Sequence, residues 1–154
     1  MHNSTFSGAA IRHKRAENFT KPVSMSAPDP SLMESVLARL RELRQLPYGW
    51  DGYRGVAVSY ENAHFAAQVI LQICGINAPA PSIVPGSSGD LQIEWHTLHG
   101  DLELHVVRPY EVHATISYAD TDECKEKLLT VDFSTAANWL LSITEDADAV
   151  PAAA

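Results

Sequence analysis

The chain has 154 residues, enough for one domain with a sizeable hydrophobic core. Its formal net charge of −8 argues against non-specific nucleic-acid binding by the folded domain, because phosphate binding needs a basic surface. No stretch approaches the roughly 18 apolar residues of a membrane span, and the two cysteines, Cys74 and Cys124, match no metal or redox spacing. We therefore expect a reduced, cytoplasmic protein that does not contact membranes.

The two ends of the chain differ from its centre in composition. Residues 1–29 lack apolar periodicity and predict a disordered tail, residues 30–144 predict a single domain, and residues 145–154 predict a second disordered tail. Residues 1–24 carry a net charge of +3. Because the whole chain carries −8, the remaining residues carry −11. Met25 is a plausible second start of translation. An acidic body of this kind favours a basic partner.

Two amphipathic helices are predicted in the first half of the domain. Ser31 and Glu34 have the spacing of a capping box, which predicts a helix start at Ser31. Pro47 ends this helix, Ser59 caps a second one, and Gly75 stops the second. The apolar positions at helical spacing are Leu32, Val36, Leu37, Leu40 and Leu43, then Ala63, Ala66, Ala67, Val69, Ile70 and Ile73.

The second half of the domain changes to the two-residue period of strands. A short strand is possible at Ile83 and Val84, residues 127–131 form a possible fourth main strand, and residues 132–143 predict a third helix. The apolar sides of the three main strands are Leu91, Ile93 and Trp95; Leu102, Leu104 and Val106; and Val112, Ala114, Ile116 and Tyr118. The predicted fold is α+β, an antiparallel three- to four-stranded meander with helices packed on one face.

The loop between the first two helices, "LPYGWDGYRG", has two interpretations. In the structural one, Gly49 and Gly52 supply positive φ angles, Asp51 accepts hydrogen bonds from turn amides, and Trp50 and Tyr53 cover the helix ends. In the functional one, Trp50, Asp51 and Tyr53 contact a partner or ligand, because aromatic residues dominate binding hot spots. The sequence leaves both open.

The segment from Leu46 to Trp95 resembles a recurrent pattern of uncharacterised small bacterial proteins. That pattern runs GWDG-Y-G-A, a helix, P-x-P-x-V-x-P, a glycine turn and a strand ending in L-E-W; this chain has "GWDGYRGVA" and "PAPSIVPGSSGDLQIEW". The family has no assigned activity, so the resemblance implies a kind of domain rather than a reaction. Arg54 stands where glycine is usual. The positions that the resemblance singles out as occurring together are Trp50, Asp51, Gly52, Glu94 and Trp95. Four of them, Trp50, Asp51, Glu94 and Trp95, are with Tyr53 the candidate binding residues.

Alternating histidines and glutamates predict a polar sheet face opposite the apolar one. If the two hairpin turns pair Glu94 with His105 and His105 with His113, these three side chains form one row that could chelate Zn²⁺. The same pattern is typical of an ordinary solvated strand face, and a general acid/base site is a third interpretation. No other cofactor is indicated.

No catalytic template appears in the sequence, such as a nucleophile elbow, a P-loop or a zinc-protease helix. We therefore expect a non-enzymatic module that binds another protein, as antitoxins, immunity proteins, chaperones and adaptors do. The alternatives are a metal-binding protein or metal-assisted hydrolase, and a small-molecule sensor with a pocket between the helices and the loop. The same aromatic loop could also serve a homodimer.

Overall fold

The computed structural model describes residues 26–145, so the predicted tails lie outside the described residues except for residues 26–29 and 145. The described chain forms three helices and five strands: α1 (Pro30–Arg44), α2 (Tyr60–Ile73), β1 (Ser82–Pro85), β2 (Leu91–Thr97), β3 (Gly100–Arg108), β4 (Glu111–Tyr118), β5 (Cys124–Leu129) and α3 (Ser134–Thr144). None of these three helices is long and apolar enough to cross a membrane.

The strands form one antiparallel sheet in the order β1-β2-β3-β4-β5, and the helices pack on one of its faces. The α+β class is therefore confirmed. The expected number of three to four strands was too low, because the sheet has five. The weak signals belong to its two edges: β1 has four residues and ends in Pro85, and β5 begins at Cys124 with five exposed residues and no apolar alternation.

The core lies between the inner face of the sheet and the apolar stripes of the helices. The predicted inward residues of β2, β3 and β4 are buried, apart from the half-buried Tyr118 at the end of β4. Trp95 is 2% exposed, and its indole Nε1 donates a 3.0 Å hydrogen bond to the Pro79 carbonyl. Cys74 is fully buried after the last turn of α2, and this burial raises the pKa of its thiol to about 12.

The start of α1 differs from the predicted capping box. Asp29 is the N-cap, and its Oδ1 accepts hydrogen bonds from both the backbone N–H and the hydroxyl of Ser31. Pro30 occupies the first helical turn, where a missing N–H costs nothing. Ordered structure also begins earlier than expected, because Pro28 is buried and the Ser26 hydroxyl accepts a 3.2 Å bond from the Ile76 N–H.

The start of α2 is tied to the sheet by a buried asparagine that the sequence did not single out. Ser59 caps the helix as predicted and accepts a hydrogen bond from the Asn62 N–H. The Asn62 side-chain amide donates to the Gly89 carbonyl at 2.8 Å and to the Val107 carbonyl at 3.4 Å. Asn62 therefore fixes the N-terminal turn of α2 against the β1–β2 turn and the end of β3.

Candidate functional site: the open sheet face and the adjoining loop

The helices leave the other face of the sheet uncovered, and its side chains form three rows across the strands, with the ion-paired Arg108 and Glu111 as a short fourth row at one end. The carboxylate row is Ser82, Glu94, Glu103, Thr115 and Glu126. The histidine row is Val84, Gln92, His105, His113 and Leu128. The third row is His96, Asp101, Ser117 and Cys124. Together these rows constitute the open face, whose residues are exposed or half-buried.

The predicted pairing of Glu94 with His105 is wrong. Glu94 faces Glu103, and His105 faces Gln92, although the predicted pairing of His105 with His113 is confirmed. The reason is the turn between β2 and β3, which has two residues instead of four because Thr97 pairs with Gly100. This shift by two residues keeps every side chain on its expected face but changes its neighbours.

The short β2–β3 turn is held by a single hydroxyl. The Thr97 Oγ1 accepts hydrogen bonds from the N–H groups of His99 and Gly100. The same oxygen lies 2.8 Å from the Ile143 carbonyl, to which it donates, and this bond attaches the turn to α3. Gly100 is also required there, since an added Cβ would lie 2.2 Å from the Ser117 carbonyl oxygen. These contacts determine the β2–β3 register.

Two carboxylates of the carboxylate row, Glu94 and Glu103, are directly opposed on neighbouring strands. Directly opposed side chains have Cβ atoms about 4.5–5.5 Å apart, and like charges at that distance destabilise the pair. Within the three rows no lysine or arginine balances them. The centre of the open face is therefore negatively charged.

His96 partly offsets this charge at one end of the open face. Its Nδ1 lies 2.9 Å from the Asp101 carboxylate, and its Nε2 lies 3.1 Å from the Glu94 carboxylate. The hydrogen bonds to Asp101 first and to Glu94 second raise the pKa of His96 above its ordinary value. Both ring nitrogens are thus engaged by carboxylates.

His105 is oriented by a residue that the sequence analysis missed, Asp90 in the β1–β2 turn. The His105 Nε2 lies 2.6 Å from the Asp90 Oδ2, and the Asp90 Oδ1 accepts a bond from the Ser88 N–H. Burial acts to raise the pKa of Asp90, but the bonds from His105 and Ser88 outweigh it and hold that pKa below its usual range. Gly86 makes room, since a Cβ there would lie 2.2 Å from Asp90 Oδ1.

The predicted zinc ligands are only partly brought together. His105 and His113 are cross-strand neighbours, while Glu94 lies in the next row, opposite Glu103. Within residues 26–145, no group of three or more His, Cys, Asp or Glu side chains is arranged to hold a metal ion.

The loop between α1 and α2 satisfies its polar groups internally. Gly49 and Gly52 have φ angles of 77° and 80°, as the structural interpretation requires. The Asp51 Oδ1 accepts bonds from the N–H groups of Gly55 and Tyr53, in that order of effect, and these bonds lower the pKa of Asp51. The half-buried Trp50 donates from Nε1 to the Val56 carbonyl at 2.9 Å.

Not every aromatic residue of the loop packs inward. Tyr53 is 77% exposed, and the Arg54 guanidinium lies 5.6 Å above its ring, so Tyr53 does not cover the helix ends. The Val56 N–H bonds to the Ser87 carbonyl, which joins the loop to the β1–β2 turn that carries Asp90. The loop is therefore linked, through this turn and Asp90, to His105 of the histidine row. Trp95, also predicted as a binding residue, lies in the core on the opposite side of the sheet.

A groove of about 270 Å³ lies between α1 and α2, but it is not the pocket predicted between the helices and the loop. Its walls contain apolar residues such as Leu37 and Ala67 together with Arg41, Arg44 and the stacked rings of Tyr60 and His64. The groove residues come from the two helices and not from the loop.

No match was found when the chain was compared with models of protein families, with characterised proteins and with solved structures. The resemblance to the GWDGY pattern therefore stays a prediction.

Proposed function

We propose that this protein is a non-enzymatic interaction module that binds a basic segment of another protein through its open face. The observation that carries the proposal is the uncovered sheet face, on which three glutamates of the carboxylate row and Asp101 have no lysine or arginine among the three rows. Residues 26–145 contain seven lysines and arginines against sixteen aspartates and glutamates, a net charge of −9. The local and the overall charge thus favour the same kind of partner.

The opposed pair Glu94 and Glu103 is the proposed centre of recognition. A lysine or arginine side chain placed between them would donate hydrogen bonds to both carboxylates and remove their mutual repulsion. Glu126 lies two strands further along the same row, with Thr115 between. Since adjacent strands are about 4.8 Å apart, the row presents a line of charge to a segment that crosses the strands. Such contacts weaken as salt concentration rises.

The loop supplies a second, aromatic part of the proposed interface. Tyr53 is exposed and Trp50 is half-buried. The Trp50 indole is held by its bond to the Val56 carbonyl, and the Tyr53 backbone by its bond to Asp51. Rigid aromatic side chains bury contact area at little entropic cost. In this proposal Trp50, Tyr53 and Glu94 touch the partner. Asp51 shapes the loop, and Trp95 supports the sheet from the core.

Charge reversal on the open face tests the proposal. The Glu94→Lys/Glu103→Lys double variant is compared with wild type and with Glu34→Lys, a reversal at an exposed position on α1. Each protein is incubated with extract of its host cell, crosslinked, and analysed for stoichiometric partners. We expect a partner that wild type and Glu34→Lys retain, that the double variant loses, and that high salt releases.

Two results would refute the proposal. One is the absence of any stoichiometric partner after crosslinking. The other is a partner that the double variant binds as well as the wild type does, which would move the interface to another surface, such as the groove between α1 and α2. A Tyr53→Ser variant measures the contribution of the loop to binding separately, because Tyr53 is too exposed for its loss to disturb the core.

A further inference from the structure

We propose that His105 and His113 form a two-histidine site for a divalent transition metal ion such as Zn²⁺. The two residues are directly paired on β3 and β4, and their ring centroids lie 6.4 Å apart on the open face. Imidazole nitrogen is a preferred ligand of zinc and related ions. This site is separate from the carboxylate row and does not depend on the proposed protein partner.

A carboxylate lies near the Nε2 atom of each ring. Asp90 binds the Nε2 of His105 at 2.6 Å, and Glu111 lies 3.6 Å from the Nε2 of His113. Histidines that bind metals almost always give their second ring nitrogen to a carboxylate, carbonyl or water, which fixes the ring and makes the ligating nitrogen more basic. The Nδ1 of His105 is thereby left as its candidate ligand. The Nε2 of His113 is beyond hydrogen-bond distance of Glu111, which is ion-paired with Arg108, so His113 can turn either ring nitrogen toward the ion.

His96, on the same face, shows the contrast. Its Nδ1 and Nε2 are each within hydrogen-bond distance of a carboxylate, from Asp101 and Glu94 respectively. A metal ion could bind His96 only by displacing one of these contacts. The arrangement around His105 and His113 therefore differs from that of a histidine which merely forms charge pairs on a strand.

A small movement of one ring completes the geometry. Two imidazoles on a tetrahedral zinc ion, with Zn–N bonds of about 2.1 Å, have ring centroids about 5 Å apart. His113 must therefore approach His105 by about 1 Å. Its side chain is 55% exposed, so a rotation meets little resistance, whereas His105 is held by Asp90. His105 is thus the fixed ligand and His113 the adjusting one.

Two protein ligands leave positions on the ion for water or for a donor from a bound molecule. The site is therefore expected to bind Zn²⁺ reversibly, and more weakly than closed sites with four protein ligands.

Calorimetric titration of the full-length protein with Zn²⁺ tests the inference, and Co²⁺ absorption reports on the ligands. We expect one ion per chain. His105→Gln or His113→Gln should lower the affinity at least tenfold, and Asp90→Asn should lower it roughly 10–100-fold through the orientation of His105. His96→Gln and a His2→Gln/His13→Gln variant are the matched controls and should bind as wild type does. Circular dichroism of each variant confirms that it is folded.

The inference is overturned if wild type takes up no ion at about 100 µM Zn²⁺, or if the His105→Gln/His113→Gln variant binds as tightly as wild type. Loss of the ion in the His96→Gln or His2→Gln/His13→Gln control but not in the His113→Gln variant would place the ion elsewhere and overturn it as well. Because no partner protein is present, these outcomes are independent of the test of the interaction module.

Discussion

Gly55 approaches Asp51 so closely that no side chain fits between them. A Cβ built on Gly55 would lie 2.7 Å from the Asp51 Cγ and 2.8 Å from the Trp50 Nε1, while the Gly55 N–H donates a 2.8 Å bond to the Asp51 carboxylate. This close backbone approach is made by Gly55, one residue after Arg54, which stands where the resembled pattern has glycine. Trp50, Asp51 and Gly55 are therefore packed so tightly that a change in one of them displaces another.

A Gly55→Ala substitution should lower the free energy of unfolding by about 1–3 kcal/mol, the usual range for overpacking a tight site. Its methyl group must displace either the Asp51 carboxylate or the Trp50 indole. Urea unfolding measures the loss. Gly75→Ala is the control, because a Cβ there meets nothing closer than 3.8 Å. Equal stability of the two variants would mean that the loop yields easily.

Asp51 should make stability depend on pH in the acid range. Its pKa is lowered by the bonds from Gly55 and Tyr53, so its contribution is fully present above the ordinary pKa of an aspartate, about 3.9, and is lost as the pH falls through its lower folded value. The stability difference between wild type and Asp51→Asn should therefore be constant from pH 7 to pH 5 and shrink below pH 4. Urea unfolding at a series of pH values follows the difference. A constant difference down to pH 2 would contradict the assignment.

Two replacements of the buried Asn62 should show how much stability is lost with its hydrogen bonds and how much a buried charge costs in addition. Asn62→Ala removes the donor to the Gly89 and Val107 carbonyls and should cost about 1–3 kcal/mol. Asn62→Asp should cost more, because it places a carboxylate against two carbonyl oxygens in the core. The two variants are compared by thermal and urea unfolding. If Asn62→Asp proved the more stable, the orientation of the amide would have to be reversed.

The two cysteines should differ in their reaction with thiol reagents. Cys74 is buried with a pKa raised to about 12, whereas Cys124 is exposed on β5. The thiolate is the reactive form, so at pH 8 one thiol per native chain should react quickly and the second only after unfolding. A Cys124→Ser variant should show no fast reaction. Two fast thiols in native wild type would place Cys74 outside the core.

Reversal of one charge on the open face should stabilise the fold. Glu103→Lys replaces an opposed pair of carboxylates by an ion pair with Glu94 and should raise the free energy of unfolding by about 0.2–1 kcal/mol. Glu126→Lys serves as the control, since its directly paired neighbour is the neutral Thr115. A gain in stability together with lost binding would indicate that the repulsion serves recognition. An unchanged or reduced stability of Glu103→Lys would show that solvent screens the pair.

The sequence predicted what depends on regular periodicity. The buried positions of α1 and α2 and the inward residues of β2 to β4 follow from helical and two-residue spacing, except that Leu37, predicted on the apolar side of α1, is 47% exposed. The pairing of His105 with His113 follows from the turn assumed between β3 and β4. The missed features are local choices between similar solutions. Asp29 and Ser31 both suit an N-cap, and only the position of Pro30 in the first turn decides between them.

The sequence did not reveal the roles of two residues that form contacts between distant parts of the chain. Asp90 reaches His105 across 15 positions, and Asn62 reaches Val107 across 45, so no local pattern reveals either. The predicted register of β2 on β3 was wrong for a related reason. The Thr97 hydroxyl, with its bond to Ile143, stabilises a shorter turn than the one assumed. The residue types of the candidate site were therefore predictable, and their partners were not.

The order of the strands in the sheet has a consequence for how the chain folds. Each strand pairs only with strands adjacent to it in sequence, so the sheet can grow hairpin by hairpin without closing a long loop first. The longest closure brings α3 back to α2, and shorter ones bring α1 to β1 and α3 to β2. We infer that the acidic open face is assembled with its β-hairpins, and that the helices complete the opposite side of a surface whose charge pattern is already set.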